Sequence, residues 1–244
     1  MNKDIQAFLT GYSGYNGGDI GSPETPAIWC CGIEWGGNMD CDELSDYIKS
    51  GEWKQISGFE VKGENAQTPY DRVLCKLLCV MSGGQVKDYY DFAVTNQIWH
   101  KGVKSGHFKM NLYPIKFKDT DHARWNSRLT ELLGFADKSE YMRWCRLFRF
   151  PVINRLVQKH QPKAVLCFGT SYEDDFNLAF SDGYRSFHSE IIDKLPVKWK
   201  FNQNGSLIVV LPFPNVPRYG LQRDRSIQDI GKFLLTLLSE NKAK

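Results

Sequence analysis

The sequence predicts an α/β fold, a three-layer sandwich around a central, mostly parallel sheet of four to five strands. Two observations carry that reading. Short apolar runs without polar alternation, AIWCCG at 27–32, AVLCFG at 164–169 and LIVVL at 207–211, have the pattern of strands buried on both faces. Between and after them lie stretches whose apolar residues recur at helical spacing, the order expected of helices covering a parallel sheet.

The elements follow in chain order. Residues 11–26, GYSGYNGGDIGSPETP, hold five glycines and two prolines with neither apolar period, so residues 1–26 read as a Gly-rich N-terminal arm or loop. Ala27–Gly32 is a strand that delivers its C-terminal end into a glycine-framed loop. Asp42–Ser50 can form a short helix. Thr68-Pro69 opens a stronger one, with a capping hydroxyl, proline in the first turn, and Val73, Leu74, Leu77, Leu78 and Met81 on one face until Gly83-Gly84. Phe108–Pro114 reads as a strand end or the segment leaving one. Arg124–Leu133 and Tyr141–His160 are helical in pattern, the second interrupted at Pro151, and Gln161-Pro162 ends it before the strand 164–169. After the strand Leu207–Leu211 comes the proline-rich PFPNVPRYG, then a closing helix with Ile227, Ile230, Phe233, Leu234, Leu237 and Leu238 at helical spacing. With no Pro/Ser/Gly linker dividing the apolar runs, residues 1–244 read as one domain.

Composition narrows the class. At 244 residues, 42% hydrophobic and 24% charged, the chain can bury a sizeable core and is not a disordered polymer. No apolar stretch approaches the roughly 18–20 residues that span a bilayer, and the N-terminus lacks the pattern of a secretory leader, so no membrane partner and a cytoplasmic location are expected. Seven cysteines form no regular framework and mostly lie in apolar segments, which fits a reducing compartment. The net charge of +3 neither requires nor opposes a nucleic-acid partner. Fifteen Phe, eleven Tyr and seven Trp supply a bulky core or stacking surfaces for planar ligands.

Several chemistries are excluded by missing motifs. There is no phosphate-binding Gly-Lys-Ser/Thr loop, no dinucleotide fingerprint and no Gly-x-Ser-x-Gly elbow. Cys75 and Cys79 share a helical face among leucines and read as core, the histidines are scattered, and no Cys-x-x-Cys pair occurs, so neither metal nor cofactor is expected.

In open parallel α/β sheets ligands bind beyond the C-terminal ends of the strands. Three loops should therefore converge. They are Gly32-Ile33-Glu34-Trp35-Gly36-Gly37, Asn111-Leu112-Tyr113-Pro114-Ile115-Lys116-Phe117-Lys118, and Pro212-Phe213-Pro214-Asn215-Val216-Pro217-Arg218-Tyr219-Gly220. In type and order these segments resemble the motifs of the uracil-DNA glycosylase superfamily. The first resembles its Gly-x-Asn-Pro-Gly strand end, with Glu34 for the Asn and Trp35 for the Pro. Asn111-Leu112-Tyr113-Pro114 is similar to the segment shaping the base pocket, residues 162–169 to a core strand, and Phe213-Pro214-Asn215 falls where His-Pro-Ser stands, keeping the proline alone. The likeness spans roughly residues 27–238.

The resemblance implies a uracil-DNA glycosylase-like hydrolase of DNA repair that flips a damaged or deaminated base from single- or double-stranded DNA and cleaves its N-glycosidic bond. Positive charge develops on the sugar, so a carboxylate beneath it can stabilise that charge and orient water; Glu34 is the candidate catalytic group. Gly32, Ile33, Trp35, Asn111, Tyr113, Phe117, Phe213 and Asn215 are the candidate base pocket, with Tyr113 or Phe117 stacking and Asn111 reading an amide edge. Val216 is a candidate wedge, and Arg218, Arg223 and Arg225 are candidate phosphate contacts. Phe213 cannot donate the hydrogen bond that the superfamily's histidine gives the departing base, which leaves Asn215, Arg218, His107 or His122 as substitutes, or a substrate base that is a better leaving group. It also leaves open a catalytically inactive nucleic-acid-binding protein on the same fold, or a small-molecule hydrolase with a similar crevice.

Overall fold

The computed structural model describes residues 2–34, 36–37, 40–61, 68–181, 186–214 and 220–241. Its centre is one seven-stranded sheet. The strands are β1 (Tyr15–Gly18), β2 (Ile28–Gly32), β3 (His107–Asn111), β4 (Ala164–Phe168), β5 (His188–Ile192), β6 (Leu195–Phe201) and β7 (Leu207–Leu211), in the order β1-β3-β2-β4-β7-β6-β5. β3, β2, β4 and β7 are mutually parallel, while β1, β6 and β5 pair antiparallel at the two sides. Every residue of the four parallel strands is buried, because helices cover both faces.

Alternation along the strands divides the core in two. Trp29, Cys31, Val165, Cys167, Ile208 and Val210 face one layer, built from α1 (Lys3–Thr10), α2 (Cys41–Ser50), α5 (Ser127–Leu133), α6 (Lys138–Trp144), α7 (Phe150–His160) and α8 (Glu173–Phe180). Ile28, Cys30, Leu166, Phe168, Val209 and Leu211 face the other, built from α3 (Pro69–Met81), α4 (Tyr89–Thr95) and α9 (Asp224–Asn241). The expected α/β sandwich is therefore present. α3 starts as its sequence predicts, Thr68 capping the backbone N–H of Asp71 with Pro69 in the first turn. It packs closely on α9 because Gly231 has no side chain: a Cβ there would lie 2.5 Å from Val80 Cγ1. No helix among the described residues is long and apolar enough to cross a membrane.

The sheet is larger than the four to five strands expected, and the three strands beyond the parallel four have physical explanations. β1 comes from the glycine-rich segment expected as an arm or loop, and α1 precedes it; the pairing of β1 with β3 shifts register between Tyr15 and Gly17, so four residues give no apolar period. β5 and β6 form a hairpin whose turn uses Asp193 and Lys194 at φ +46° and +68°, the conformation usually signalled by glycine or asparagine. β5 is largely exposed at the sheet edge, so its sequence carries no apolar alternation.

The long helix expected at 141–160 is broken, and the break has a function in the fold. α6 runs through a π segment, Cys145–Arg149, into α7, with Pro151 in the first turn of α7 where its missing N–H is tolerated. This turn buries Arg149 completely. Its Nε donates to Leu112 O at 2.8 Å, Nη1 to Leu9 O at 2.7 Å and Gly11 O at 3.3 Å, and Nη2 to Ser13 O at 2.7 Å and Asn111 O at 3.5 Å. All five guanidinium N–H groups are used, and they tie the N-terminal segment to the end of β3.

Candidate functional site

A crevice opens beyond the C-terminal ends of β2, β3, β4 and β7. It straddles β2 and β4, where the strand order reverses, β2 being followed by β3 on one side and β3 by β4 on the other. Two adjoining lobes share Glu34, Gly36 and Phe213. The first, about 430 Å³, lies on the α3 side and is lined by Asn16, Gly32, Phe59, Tyr70, Asp71, Lys109, Asn111 and Lys116 among others. The second, about 450 Å³, lies on the other side, with Ile33, Phe117, Lys118, Thr120, Gly169, Thr170, Ser171 and Tyr172 in its wall.

Glu34 stands where the lobes meet. The strand ends at Gly32, and the turn after it carries the carboxylate inward to Lys138 at the start of α6. Lys138 Nζ donates to Glu34 Oε1 at 3.1 Å and lies 4.1 Å from the centroid of the Phe117 ring. Both side chains of the pair are buried. No hydrogen bond between described residues engages Oε2. Burial pushes the Glu34 carboxyl up to about 7, outweighing the opposing pull of the Lys138 ammonium. A carboxyl held there exchanges a proton near neutral pH, as general acid–base chemistry requires.

The first lobe is shaped by an absence at Gly32. A Cβ there would fall 2.5 Å from Asn111 Oδ1 and 2.9 Å from the Tyr70 hydroxyl, so glycine is required by space. Asn111 is buried, its Nδ2 donating to Asn16 Oδ1 at 3.0 Å, which turns Oδ1 toward Gly32 as an acceptor. Phe213 stacks on Tyr70 with ring centroids 5.4 Å apart. Gly32→Ala is expected to lower unfolding free energy by about 1–3 kcal/mol, the usual effect of forcing a methyl into filled space, and to close this lobe. Denaturant melts and ligand titration of the same variant check both; unchanged ligand binding would contradict this geometry.

Of the residues expected in the site, Gly32, Ile33, Glu34, Asn111, Phe117 and Phe213 are brought together. Tyr113 is not. The chain leaves β3 after Asn111, so strand alternation no longer applies, and Tyr113 packs against Tyr141 and Phe150 with its hydroxyl donating to Asp175 Oδ2 at 2.7 Å. It is core. Arg223 is fixed to the β5–β6 turn, donating to Asp193 O at 2.8 Å and pairing with its carboxylate at 2.9 Å. The β6–β7 register puts that turn at the crevice end of the sheet. Arg225 is exposed, 3.7 Å from Asp229. Trp35, Asn215, Val216 and Arg218 lie outside the described residues.

Neither histidine considered as a substitute donor lines the lobes. His107 starts β3, four residues or about 13 Å from Asn111 at the other end of the strand, and burial lowers its pKa to about 4. His122 is exposed and hydrogen-bonded to Ser139 Oγ at 3.0 Å. The seven cysteines are free thiols, and among the described residues no group of three or more His, Cys, Asp or Glu is placed to hold a metal ion.

Sequence reasoning missed the two buried lysines of the site. Lys138 gave no signal, because its partner is 104 positions away. Lys109 gave one: it is a cation in a strand whose other residues are buried, two positions before Asn111 and so on the same face. It pairs with Asp71, a residue readable from sequence only as a first-turn helix acid.

The fold and crevice define an open α/β protein with a crevice at the switch point of its sheet. Compared with known proteins, the chain matches no family model and no curated protein.

Proposed function

We propose that the chain hydrolyses the N-glycosidic bond of a damaged or deaminated base in DNA, as a divergent relative of the uracil-DNA glycosylases. The carrying observation is the buried Glu34 at the junction of two unlike lobes, one offering aromatic rings and an amide, the other hydroxyls and Lys118. The parallel strands also run second-first-third-fourth across the sheet, with the strand ends that open into the three motif loops on one side. In this reading the base enters the first lobe between Phe59, Tyr70 and Phe213, while sugar and phosphate lie over the second.

The C1′–N bond breaks with its electron pair leaving on the base. Glu34 stabilises the cationic sugar, its Oε2 takes a proton from water, and the hydroxide adds to C1′. Lys138 holds Oε1 and fixes the carboxylate's orientation. Cations around the crevice mouth, including Lys118, Arg223 and Arg225, meet the DNA backbone.

One observation favours a second reading, a catalytically inactive nucleic-acid-binding protein. Phe213 stacks on Tyr70 where the superfamily's second motif has its histidine. Titrating labelled single- and double-stranded oligonucleotides carrying uracil or hypoxanthine, at several salt concentrations and with released base quantified, separates the two. Hydrolysis with binding that weakens steeply in salt is expected. Salt-sensitive binding without release supports the second reading, and neither binding nor release would remove DNA from the account.

A further inference from the structure

The first lobe continues past Asn111 to a second polar tier, and this deepens the proposed function by naming the kind of base. Lys109 lies two residues before Asn111 on the same face of β3, its Cα roughly 7 Å back along the strand, and lines the same lobe. Its ammonium pairs with Asp71 Oδ1. Asp71 Oδ2 accepts from Thr68 Oγ1 at 2.9 Å, so both carboxylate oxygens are occupied. Among the described residues the ammonium otherwise lies against rings: Phe59 at 4.1 Å, Trp99 at 5.1 Å and Tyr70 at 5.7 Å from centroid to Nζ. Those rings favour the charge but accept no conventional hydrogen bond. An ammonium has three N–H groups, and the pairing with Asp71 uses one.

A second group nearby is also unsatisfied. The Tyr70 hydroxyl is buried beside Gly32 and Asn111 Oδ1 and has no hydrogen-bond partner among the described residues, although Tyr70 lines the same lobe. Buried polar groups are normally paired, so an unpaired one on a side chain that lines a cavity is a candidate partner for a ligand atom. The Lys109–Asp71 pair is neutral overall, which suits an uncharged acceptor such as a carbonyl oxygen better than a phosphate.

We infer that the first lobe is built for a bicyclic oxo-purine, with Lys109 donating to an oxygen on the ring remote from the sugar and Tyr70 completing the edge, on the reading that the crevice takes a base. A monocyclic pyrimidine held at Asn111 leaves the Lys109 tier unused. A purine-sized base carrying an oxo group, as adenine or guanine becomes on deamination, reaches it.

The test compares oligonucleotides carrying hypoxanthine, xanthine or uracil, and the free bases themselves, with the wild type, Tyr70→Phe and the double variant Lys109→Met/Asp71→Leu. The double variant removes both charges, so that no lone ion is left buried, and thermal melts check that each variant folds. The wild type is expected to prefer the oxo-purines. The purine-to-uracil ratio should fall about 10- to 100-fold in the double variant, as for loss of a hydrogen bond to a charged donor, and less in Tyr70→Phe. If the double variant does not fold, Tyr70→Phe and the wild-type preference decide. Preference for uracil, or a ratio that neither variant moves, overturns the oxo-purine lobe and leaves the glycosylase reading standing. Tight binding of free oxo-purines without base release keeps the lobe and overturns the hydrolysis. Binding and release of no base overturn both.

Discussion

Glu34→Gln is expected to lower base release by about 10²–10⁴-fold while leaving oligonucleotide binding near the wild-type level. The amide preserves size and can still hydrogen-bond, but it can neither take a proton from water nor offset positive charge on the sugar. Because burial raises the Glu34 carboxyl to about 7, the wild-type rate should fall as pH drops through that value, with the slope of one proton. Lys138→Met removes the cation that opposes this rise, so the acidic limb should move to higher pH, a response that a purely structural lysine would not give. The same shift has a stability consequence of fixed sign. Between the ordinary value of 4.5 and about 7 the unfolded chain ionises while the folded one keeps its proton, so unfolding becomes easier as pH rises through that window. Glu34→Gln should flatten that dependence in urea melts taken between pH 4.5 and 7.5.

Arg149→Met should be the most destabilising substitution outside the apolar core, by about 3–5 kcal/mol, a large part of the roughly 5–15 kcal/mol that keeps a domain folded. Five carbonyl contacts converge on this one guanidinium, three from the N-terminal segment more than 130 residues away and two from the end of β3. Removing it leaves buried carbonyls without donors, the costly half of the hydrogen-bond asymmetry. Arg149→Lys should also destabilise, because an ammonium cannot reach five acceptors in one plane. The effect should extend to the crevice. Asn16, on β1, holds the Asn111 amide, so loosening the N-terminal segment frees the group that lines the first lobe. Urea melts measure the loss, and hydrogen exchange should show β1 opening first. Protection of β1 unchanged from wild type would contradict this role.

The parallel half of the fold is readable from sequence because its strands are buried on both faces and so appear as unbroken apolar runs. The flanking strands are not, each for a local reason: β1 is glycine-rich and irregular in register, β5 lies on an exposed edge, and β6 beside β5 has Pro196 within the alternation of Leu195, Val197 and Trp199. The site divides similarly. Glu34, Gly32, Asn111 and Phe213 can be found because they sit at strand ends, where position alone predicts convergence. Tyr113 shows the limit of that logic, since alternation stops where the strand stops. Lys138, Lys109 and Arg149 depend on pairings across 104, 38 and 136–140 positions, and no local pattern encodes such partners.

The most direct test is quantitation of free base released from oligonucleotides carrying hypoxanthine or uracil by the wild type and by Glu34→Gln at pH 7.5. Release by the wild type that falls at least 100-fold in the variant, with binding retained, is the predicted result. Release undiminished in Glu34→Gln would contradict the role given to the carboxylate, and no release by the wild type would contradict the hydrolysis itself.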